Sequence, residues 1–489
     1  MMNITWVKAA ELPEVCALYQ AAIADMQARG LEQWAWGRYP TEAILAEDVA
    51  LSRLYRVDQD GSLIAVFALC VGQDAEYEGV GWRYGVRPAC LHRVARLPGA
   101  GGRGVGKAIV AFAKEKGAQL GCDCLRVDTY AQNGRALKLF RENTVREAGT
   151  FAIARFPEPF HCFEAPLTAE CPILPTRMHP AYRHGDMTPW GGDALRTLYG
   201  KAIPDDRTGE ALEISCIQGL ESTTDRGETL PELIRKDGAA LVGEGNTEPF
   251  PLLLKLLAAK SSLSVQVHPG DGYAMAHEGK LGKTEAWAIL HAEPGAELCY
   301  GLRDGVTLAA LERALVGGED VAPMIATTRV TAGDVLYMPS GMVHAIGGGI
   351  TLYEIQQSSD VTYRLWDYNR VNERGEKREL HIRKSLDVID PALKGIRTRF
   401  PDADQAGEHA VLDVPAFRLV CVCVQGSLAL SACQESFRMF TALDALTLCW
   451  EGGAMPVKAG ESVLLAAQSP QLTVQGQGRA LLSMVGKRL

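Results

Sequence analysis

The chain has 489 residues, 47% hydrophobic and 22% charged, the balance of a soluble globular protein with room for roughly two to four domains. Its formal net charge of -9 argues against a general nucleic-acid or anionic-membrane partner, since both favour a basic surface; a local basic pocket for a small phosphate stays open. The 13 cysteines are odd in number and scattered, with no Cys-x-x-Cys pair, and read as reduced core thiols. No basic-then-apolar leader and no apolar run of about 18 residues is visible, so a cytoplasmic protein is expected.

Residues 12–29 carry apolar side chains at helical spacing (Val15, Leu18, Tyr19, Ile23). Strands are predicted near 54–57, 62–71 and 81–84. A Gly-rich loop at 99–106 opens a helix over 107–120, and a strand follows at 124–129. Mixed α and β of this kind predicts a layered sheet with helices. Residues 168–182 hold Pro172, Pro175 and Pro180 without periodicity and read as a linker. From about 260 onward, short β-like runs such as SLSVQVH, EAWAILH, GDVLYMP and GITLYEIQQ are separated by Gly, Pro and Asp. That texture predicts a β-barrel or sandwich, with helical inserts at 251–260 and 307–316. Residues 400–489 repeat it (FRLVCVCV, ALTLCW, SVLLAA, LTVQG) and predict a second β-sandwich. No His follows His409, so a metal site belongs to the first barrel.

In SVQVHPGDG, Gln266 and His268 are two residues apart on a β-favouring run and so point to one face. Polar groups on an inner face need partners. With Glu285 and His344 they make a set of two imidazoles, one carboxylate and one amide oxygen, which suits a borderline cation such as Zn²⁺ with a position left for water or substrate. The alternative is four satisfied polar groups at a barrel mouth. In the first part, the run GAGGRGVGKAIV places successive backbone N–H groups at a helix N-terminus, an anion cradle. It is not a Walker loop, because no Gly-Lys-Ser/Thr follows at the required spacing.

The segment from about 178 to 390 resembles the type I mannose-6-phosphate isomerases, closely their shorter bacterial form. The matching stretches are AYR, WGGDALRTLYG, EIS, SVQVHPGD, GKTEAW, GDVLYMPSGMVHAIGGG and EIQQSSDVTYRLWDYNR, in order and at sensible spacing. The resemblance implies a cupin-type barrel with helical insertions and a second β domain, and one zinc ion per chain held by Gln266, His268, Glu285 and His344. It implies Arg364 as an essential active-site residue, with Lys283 in the same pocket. The implied reaction interconverts mannose 6-phosphate and fructose 6-phosphate by moving a proton between adjacent carbons through an enediol. Glu354 is a candidate base, or else a structural carboxylate. Ser264, Lys283, Arg364 and Arg370 are candidate donors to the substrate phosphate. A non-catalytic, sugar-binding cupin is the alternative.

Residues 1–165 resemble the GNAT N-acetyltransferases in their order of elements: a first helix, GLEQWAWGRYP, then LHRVARLPGAGGRGVGKAIV and LRVDTYAQNGRALKLF. The resemblance implies acetyl-CoA as a ligand, with the pyrophosphate on Gly102, Arg103, Gly104, Val105 and Gly106 and a further contact from Asn133. Three positions depart from that pattern. Gly101 stands where Gln or Arg is usual, Phe140 where a Tyr acid often stands, and Asn143-Thr-Val where Gly-Phe is usual. An active acetyltransferase and a degenerate, acetyl-CoA-sensing regulatory domain both stay open. The expected domains are 1–167 (GNAT-like), 168–182 (linker), 183–395 (zinc-binding cupin) and 396–489 (second cupin-like domain).

Overall fold

The computed structural model describes residues 2–100, 104–371, 375–432 and 435–486. It divides into two compact units, Met1–Leu174 and Pro175–Leu489.

The first unit is a seven-stranded sheet in the order β1-β2-β3-β4-β5-β7-β6. Its strands are β1 (Met2–Trp6), β2 (Leu54–Gln59), β3 (Ser62–Val71), β4 (Pro88–Arg96), β5 (Cys124–Tyr130), β6 (Arg146–Phe151) and β7 (Phe160–Pro166). Only the β4–β5 pair is parallel. Helices α1 (Leu12–Ala28), α2 (Glu42–Ala50), α3 (Val105–Gln119) and α4 (Gly134–Asn143) complete it. One core joins Phe67, Leu91 and Leu125 of the sheet to Ile109 and Ala113 of α3. A second packs Val15, Tyr19 and Leu45 of α1 and α2 against Val66 and Ala68. The strand expected at 81–84 does not form; only Tyr84 makes a bridge, to Ile173. The backbone N–H groups of Arg83 and Tyr84 donate instead to the buried Glu164 carboxylate, so a side chain takes the place of a ladder partner.

The second unit begins with β8 (Thr176–Met178), β9 (Ala181–Arg183), α5 (Ala194–Tyr199), β10 (Glu210–Ile214), α6 (Leu230–Val242), β11 (Leu252–Ala259) and β12 (Val265–Val267). Next come α7 (Asp271–Glu278), β13 (Glu285–Ala292), β14 (Glu297–Leu302), α8 (Leu308–Gly317), β15 (Ile325–Arg329), β16 (Asp334–Met338), β17 (His344–Ala345), β18 (Ile350–Gln357), β19 (Tyr363–Trp366), α9 (Ile382–Val388) and β20 (Ile396–Arg399). They form a seven-stranded sheet, β20-β16-β13-β18-β11-β10-β9, and a five-stranded sheet, β15-β14-β17-β12-β19. The remaining strands are β21 (Gly407–Asp413), β22 (Phe417–Ala429), β23 (Arg438–Ala442), β24 (Leu446–Trp450), β25 (Gly453–Val457), β26 (Ser462–Leu465) and β27 (Thr473–Val485). They make an antiparallel sheet that β8 joins at one edge through β26.

Several sequence-based expectations change here. The helix expected at 251–260 is strand β11, with all eight residues buried. A strand covered on both faces loses its alternation and reads as a continuous apolar run. Part of the expected linker is strand: β8 and β9 are paired in two different sheets. The expected 395/396 boundary also separates β20 from the sheet it belongs to, because β20 pairs with β16. The helix expected at 307–316 forms as α8. Twelve cysteines are free, and among the described residues none is bridged. No helix of the described residues is long and apolar enough to cross a membrane.

Candidate metal centre

Three strands and one loop bring the candidate ligands together. Gln266 is the middle residue of β12, flanked by the fully buried Val265 and Val267, which pack into the core beneath α8 and α9. Its register partners are His344 on β17 and Arg364 on β19. His268 follows β12 directly, and its carbonyl is held by the Gly341 N–H at 2.8 Å. Glu285 opens β13, with Met338 and Gln356 as its neighbours on either side.

The hydrogen bonds fix both imidazoles in one tautomer. His268 Nδ1–H donates to the Val361 carbonyl at 3.1 Å, and His344 Nδ1–H to the Met342 carbonyl at 2.8 Å. Each ring therefore turns an Nε2 lone pair inward, the arrangement that orients a metal-ligating histidine. The two rings lie 4.7 Å apart, and Trp287 meets His344 edge-on at 5.4 Å. His344 Nε2 is 3.1 Å from Glu285 Oε1, and His268 Nε2 is 3.4 Å from Glu285 Oε2. One ligand atom from each of these three residues lies within 4.8 Å of the others, and all three residues are buried. Gln266 completes the set with its amide 3.4 Å from His344 Nε2; a half-turn of the terminal amide exchanges nitrogen for oxygen at that point.

Electrostatics supports the same reading. Glu285 Oε1 is buried and accepts no hydrogen bond. Burial works against the Glu285 charge, yet the Lys283 ammonium and the two imidazoles hold the carboxyl well below its ordinary range. Burial first, and then Lys283, push the His268 imidazole down to about 3. His268 thus presents a neutral nitrogen beside the charged Glu285 oxygen, protonation states that suit a divalent cation. Lys283 Nζ lies 2.9 Å from His268 Nε2 and also bonds Glu285. It supplies the positive charge that these acceptors hold in this structure.

The other expected residues divide. Arg364 is half-buried beside Gln266; its Nη1 donates to the Glu379 carbonyl at 2.8 Å, and its Nε is buried without a partner. Burial, then the nearby Arg378 and Arg370, lower its pKa. Ser264 is buried two residues before Gln266, on the same side by strand alternation. Arg370 is committed elsewhere: it pairs with Asp367 and donates to the Ser262 carbonyl at 2.6 Å. Arg378, which the sequence reading does not single out, clamps the same Asp367.

Glu354 faces inward on β18. It accepts from Trp287 Nε1 at 2.9 Å and pairs with Lys255 Nζ at 3.1 Å. Lys255 also reaches Glu210, at 3.3 Å. This buried Glu210–Lys255–Glu354 triad is missing from the sequence reading. The signal was a single Lys inside PLLLKLLAA, legible only once that run is taken as a strand.

In the first unit, Gly102 and Arg103 lie outside the described residues. Gly104 precedes α3 with φ of 116°, a conformation that favours glycine. Gly106 has a packing role: a Cβ there would lie 2.7 Å from a Leu139 methyl of α4. Val105 is buried in the core, so its side chain is not available to a ligand. Asn133 caps α4, its side chain accepting from the Ala136 N–H at 3.3 Å.

Comparison with known proteins agrees with this geometry. Residues 178–297 match the family model "Phosphomannose isomerase type I, catalytic domain". Over 302 residues the chain is 35% identical to mannose-6-phosphate isomerase ManA of Bacillus subtilis, covering 60% of this chain and 94% of that one. The chain belongs to the type I mannose-6-phosphate isomerase family. It is 43% identical over 204 residues to the mannose-6-phosphate isomerase of Streptococcus mutans, covering 41% of this chain and 64% of that relative's length. The crystal structure of a B. subtilis mannose 6-phosphate isomerase superposes with a TM-score of 0.56 at 30% identity, covering 64% of this chain and all of that one. Residues 17–143 match the acetyltransferase (GNAT) family, so this isomerase-family chain carries a GNAT domain in its first unit.

Proposed function

We propose that the second unit interconverts mannose 6-phosphate and fructose 6-phosphate with one Zn²⁺ held by Gln266, His268, Glu285 and His344. The observation that carries this is the convergence of two tautomer-fixed Nε2 lone pairs on a buried carboxylate. Zn²⁺ held there would supply Lewis acidity toward an oxygen of the sugar on which negative charge develops. The protein's own groups do the rest. Glu354, held by Lys255 and Trp287, takes the proton from one carbon and returns it to the next. Arg364 and Lys283 supply cationic donors to the phosphate, with Ser264 as a hydroxyl donor. Arg370 supports this rim through Asp367 rather than touching substrate. The buried surroundings exclude water from the enediol.

The test is conversion of mannose 6-phosphate by the purified chain as isolated, after chelation, and after zinc is restored. Activity that disappears and returns supports both reaction and metal. No activity in any state, with zinc bound, replaces this reading with a sugar-binding cupin.

A second proposal concerns the GNAT domain: it binds acetyl-CoA, with the pyrophosphate on the backbone N–H groups of Gly102 to Gly106 and the Arg103 side chain. The left-handed Gly104 and the start of α3 at Val105, where first-turn N–H groups have no intrahelical acceptor, favour it. Asn133 contributes through its side-chain Nδ2–H, since its Oδ1 caps α4 and its backbone N–H donates to the Tyr130 carbonyl. Calorimetry with acetyl-CoA on the full chain decides the point.

A further inference from the structure

The first unit contains a cavity of about 470 Å³ that the isomerase reaction does not use. Its origin lies in β4. Residues 93–94 form a bulge opposite β3, with Arg93 at φ of 53°, and the parallel β4–β5 pairing stops at Leu91–Val127. Beyond that point the two strands part. His92, Arg93 and Val94 line one side of the gap, Asp128 to Tyr130 the other, and α4 closes it with Ala136 and Phe140.

Two buried polar atoms in this cavity have no hydrogen-bond partner. One is Nε2 of His92, a residue 7% exposed; the other is Oε1 of Gln33, a residue 8% exposed. His92 Nε2 lies 3.2 Å from Asp74 Oδ2 without the alignment of a hydrogen bond, and its Nδ1 is 3.9 Å from Asp128 Oδ1. Tyr77 O–H donates to Asp128 at 2.6 Å. Glu76 adds a third carboxylate to this end of the cavity. The one arginine among them, Arg93, is neutralised by the fully buried Asp48 at 2.7 Å. Two further arginines border an adjoining cavity that Asp74, Glu76 and Asp128 do not line, though Glu32 does. Arg38 and Arg155 line both the first cavity and this second one of about 310 Å³, and among the described residues neither is paired with a carboxylate. An unpartnered buried imidazole nitrogen beside carboxylates, with two guanidiniums at the junction with a second cavity, one of them over the Phe156 ring at 4.8 Å, makes a polarised binding site.

We propose that this cavity takes a small primary amine that also carries an anionic group, and that His92 accepts the proton the amine loses before it is acetylated. The assignment rests on acetyl-CoA binding by the same domain. Asp74, Glu76 and Asp128 attract the ammonium, Gln33 Oε1 accepts from it or from a neighbouring hydroxyl, and Arg38 and Arg155 meet the anion. The ammonium gives one proton to His92. The free amine then attacks the thioester carbonyl carbon, the C–N bond forms and the C–S bond breaks. The second nitrogen proton goes to the departing thiolate, and His92 returns its own to solvent. An amide and free coenzyme A thiol result. Phe140 lines the cavity where a Tyr would offer an acid, which leaves the nitrogen itself as the proton source for the thiolate. Burial lowers the His92 pKa against the pull of Asp128 and Asp74, which keeps the ring neutral and able to accept at pH 7.

The test uses the full chain, acetyl-CoA and release of coenzyme A thiol, with three amines: glucosamine 6-phosphate, glutamate and putrescine. Expected is transfer to an anionic amine with a KM at least 10-fold below that of putrescine. The phosphate and carboxylate arms identify which anion is recognised. Replacing Arg38 and Arg155 together by Ala removes that preference. His92→Gln lowers kcat by about 10²-fold or more and abolishes its dependence on the acid limb of the pH profile, while acetyl-CoA binding by calorimetry is unchanged. Acetyl-CoA binding without transfer to any of the three, a preference for putrescine, or full kcat in His92→Gln overturns the assignment. Absence of acetyl-CoA binding defeats the underlying reading and the acceptor site with it.

Discussion

Lys255 and Glu354 stand opposite each other on β11 and β18, Nζ to Oε1 at 3.1 Å, both at least nine-tenths buried. The strand register makes this pair inevitable once Trp287, on the other side of Glu354, is placed on the same inner face. Removing one partner of a buried pair leaves an uncompensated charge and costs about 3–5 kcal/mol. Lys255→Met therefore strips two carboxylates, Glu210 and Glu354, of their ammonium. We expect a stability loss of that order in urea unfolding of the second unit, together with loss of turnover. Replacing Glu210 as well, by Gln, should recover part of the stability and none of the turnover.

Arg364 occupies the strand beside Gln266 but makes no contact with Glu285 or either imidazole. Arg364→Ala should retain bound zinc and lose turnover. A charged hydrogen bond to a substrate phosphate contributes about 1.5–3 kcal/mol, or roughly 10- to 100-fold in kcat/KM. Metal content by mass spectrometry and steady-state kinetics on the same sample check both halves; full activity would remove Arg364 from the mechanism.

His344 differs in kind, because its Nε2 is one of the inward lone pairs and its Nδ1–H is already spent on Met342. His344→Ala is expected to lose metal and activity together, and added zinc should restore neither at stoichiometric levels. His344→Gln offers an amide oxygen but not the carbonyl-fixed ring, so partial metal retention with weaker binding is expected.

The barrel's acid sensitivity has a definite source at the edge of the seven-stranded sheet. Asp334 is 3% exposed and receives Arg397 at 2.8 Å, Arg399 at 2.9 Å and the Thr331 N–H at 2.8 Å. Burial opposes its charge, but these donors prevail and hold its carboxyl below the ordinary value. A folded-state pKa below the unfolded one contributes stability that is complete above about pH 4 and is lost as pH falls through the folded value. Asp334→Asn should thus destabilise the second unit by about 1–3 kcal/mol at pH 7. The gap to the unsubstituted protein should close below pH 4, a trend that unfolding midpoints measured against pH will reveal.

How much of this is legible in sequence depends on whether a segment has one buried face or two. EAWAILH and SVQVH alternate, and their polar residues, Glu285, Gln266 and His268, announce an inner face. PLLLKLLAA has no period because both its faces are covered, so the strand reads as a helix and Lys255 goes unremarked. The tautomers of His268 and His344 are set by the carbonyls of Val361 and Met342, backbone atoms that no side-chain pattern encodes. The clamp on Asp367 brings together Arg370 and Arg378, and β8 crosses to a sheet nearly 300 residues away in sequence, pairing Met178 with Ser462. In the first unit the helix order identifies a GNAT domain. The cavity beside His92, by contrast, depends on a bulge at Arg93 in a strand whose Pro, His and Arg residues hide its β character.

Gly347 links the fold to the metal site most directly. A Cβ there would lie 1.7 Å from the Glu297 carbonyl oxygen, a backbone atom that cannot swing aside. Glu297 begins β14, and β14 holds β17 in place through the Tyr300–His344 and Cys299–Ala345 pairs. Gly347→Ala must therefore separate the two strands just beyond His344. Overpacking of this kind costs about 1–3 kcal/mol, and displacement of the His344 ring should weaken zinc as well. Gly272→Ala is the control: it lies in α7, with open space around its would-be Cβ, and should be neutral or stabilising by up to about 1 kcal/mol. Zinc affinity by competition with a chromogenic chelator separates the two variants. Equal affinity in both would mean that the β14–β17 contact does not position His344.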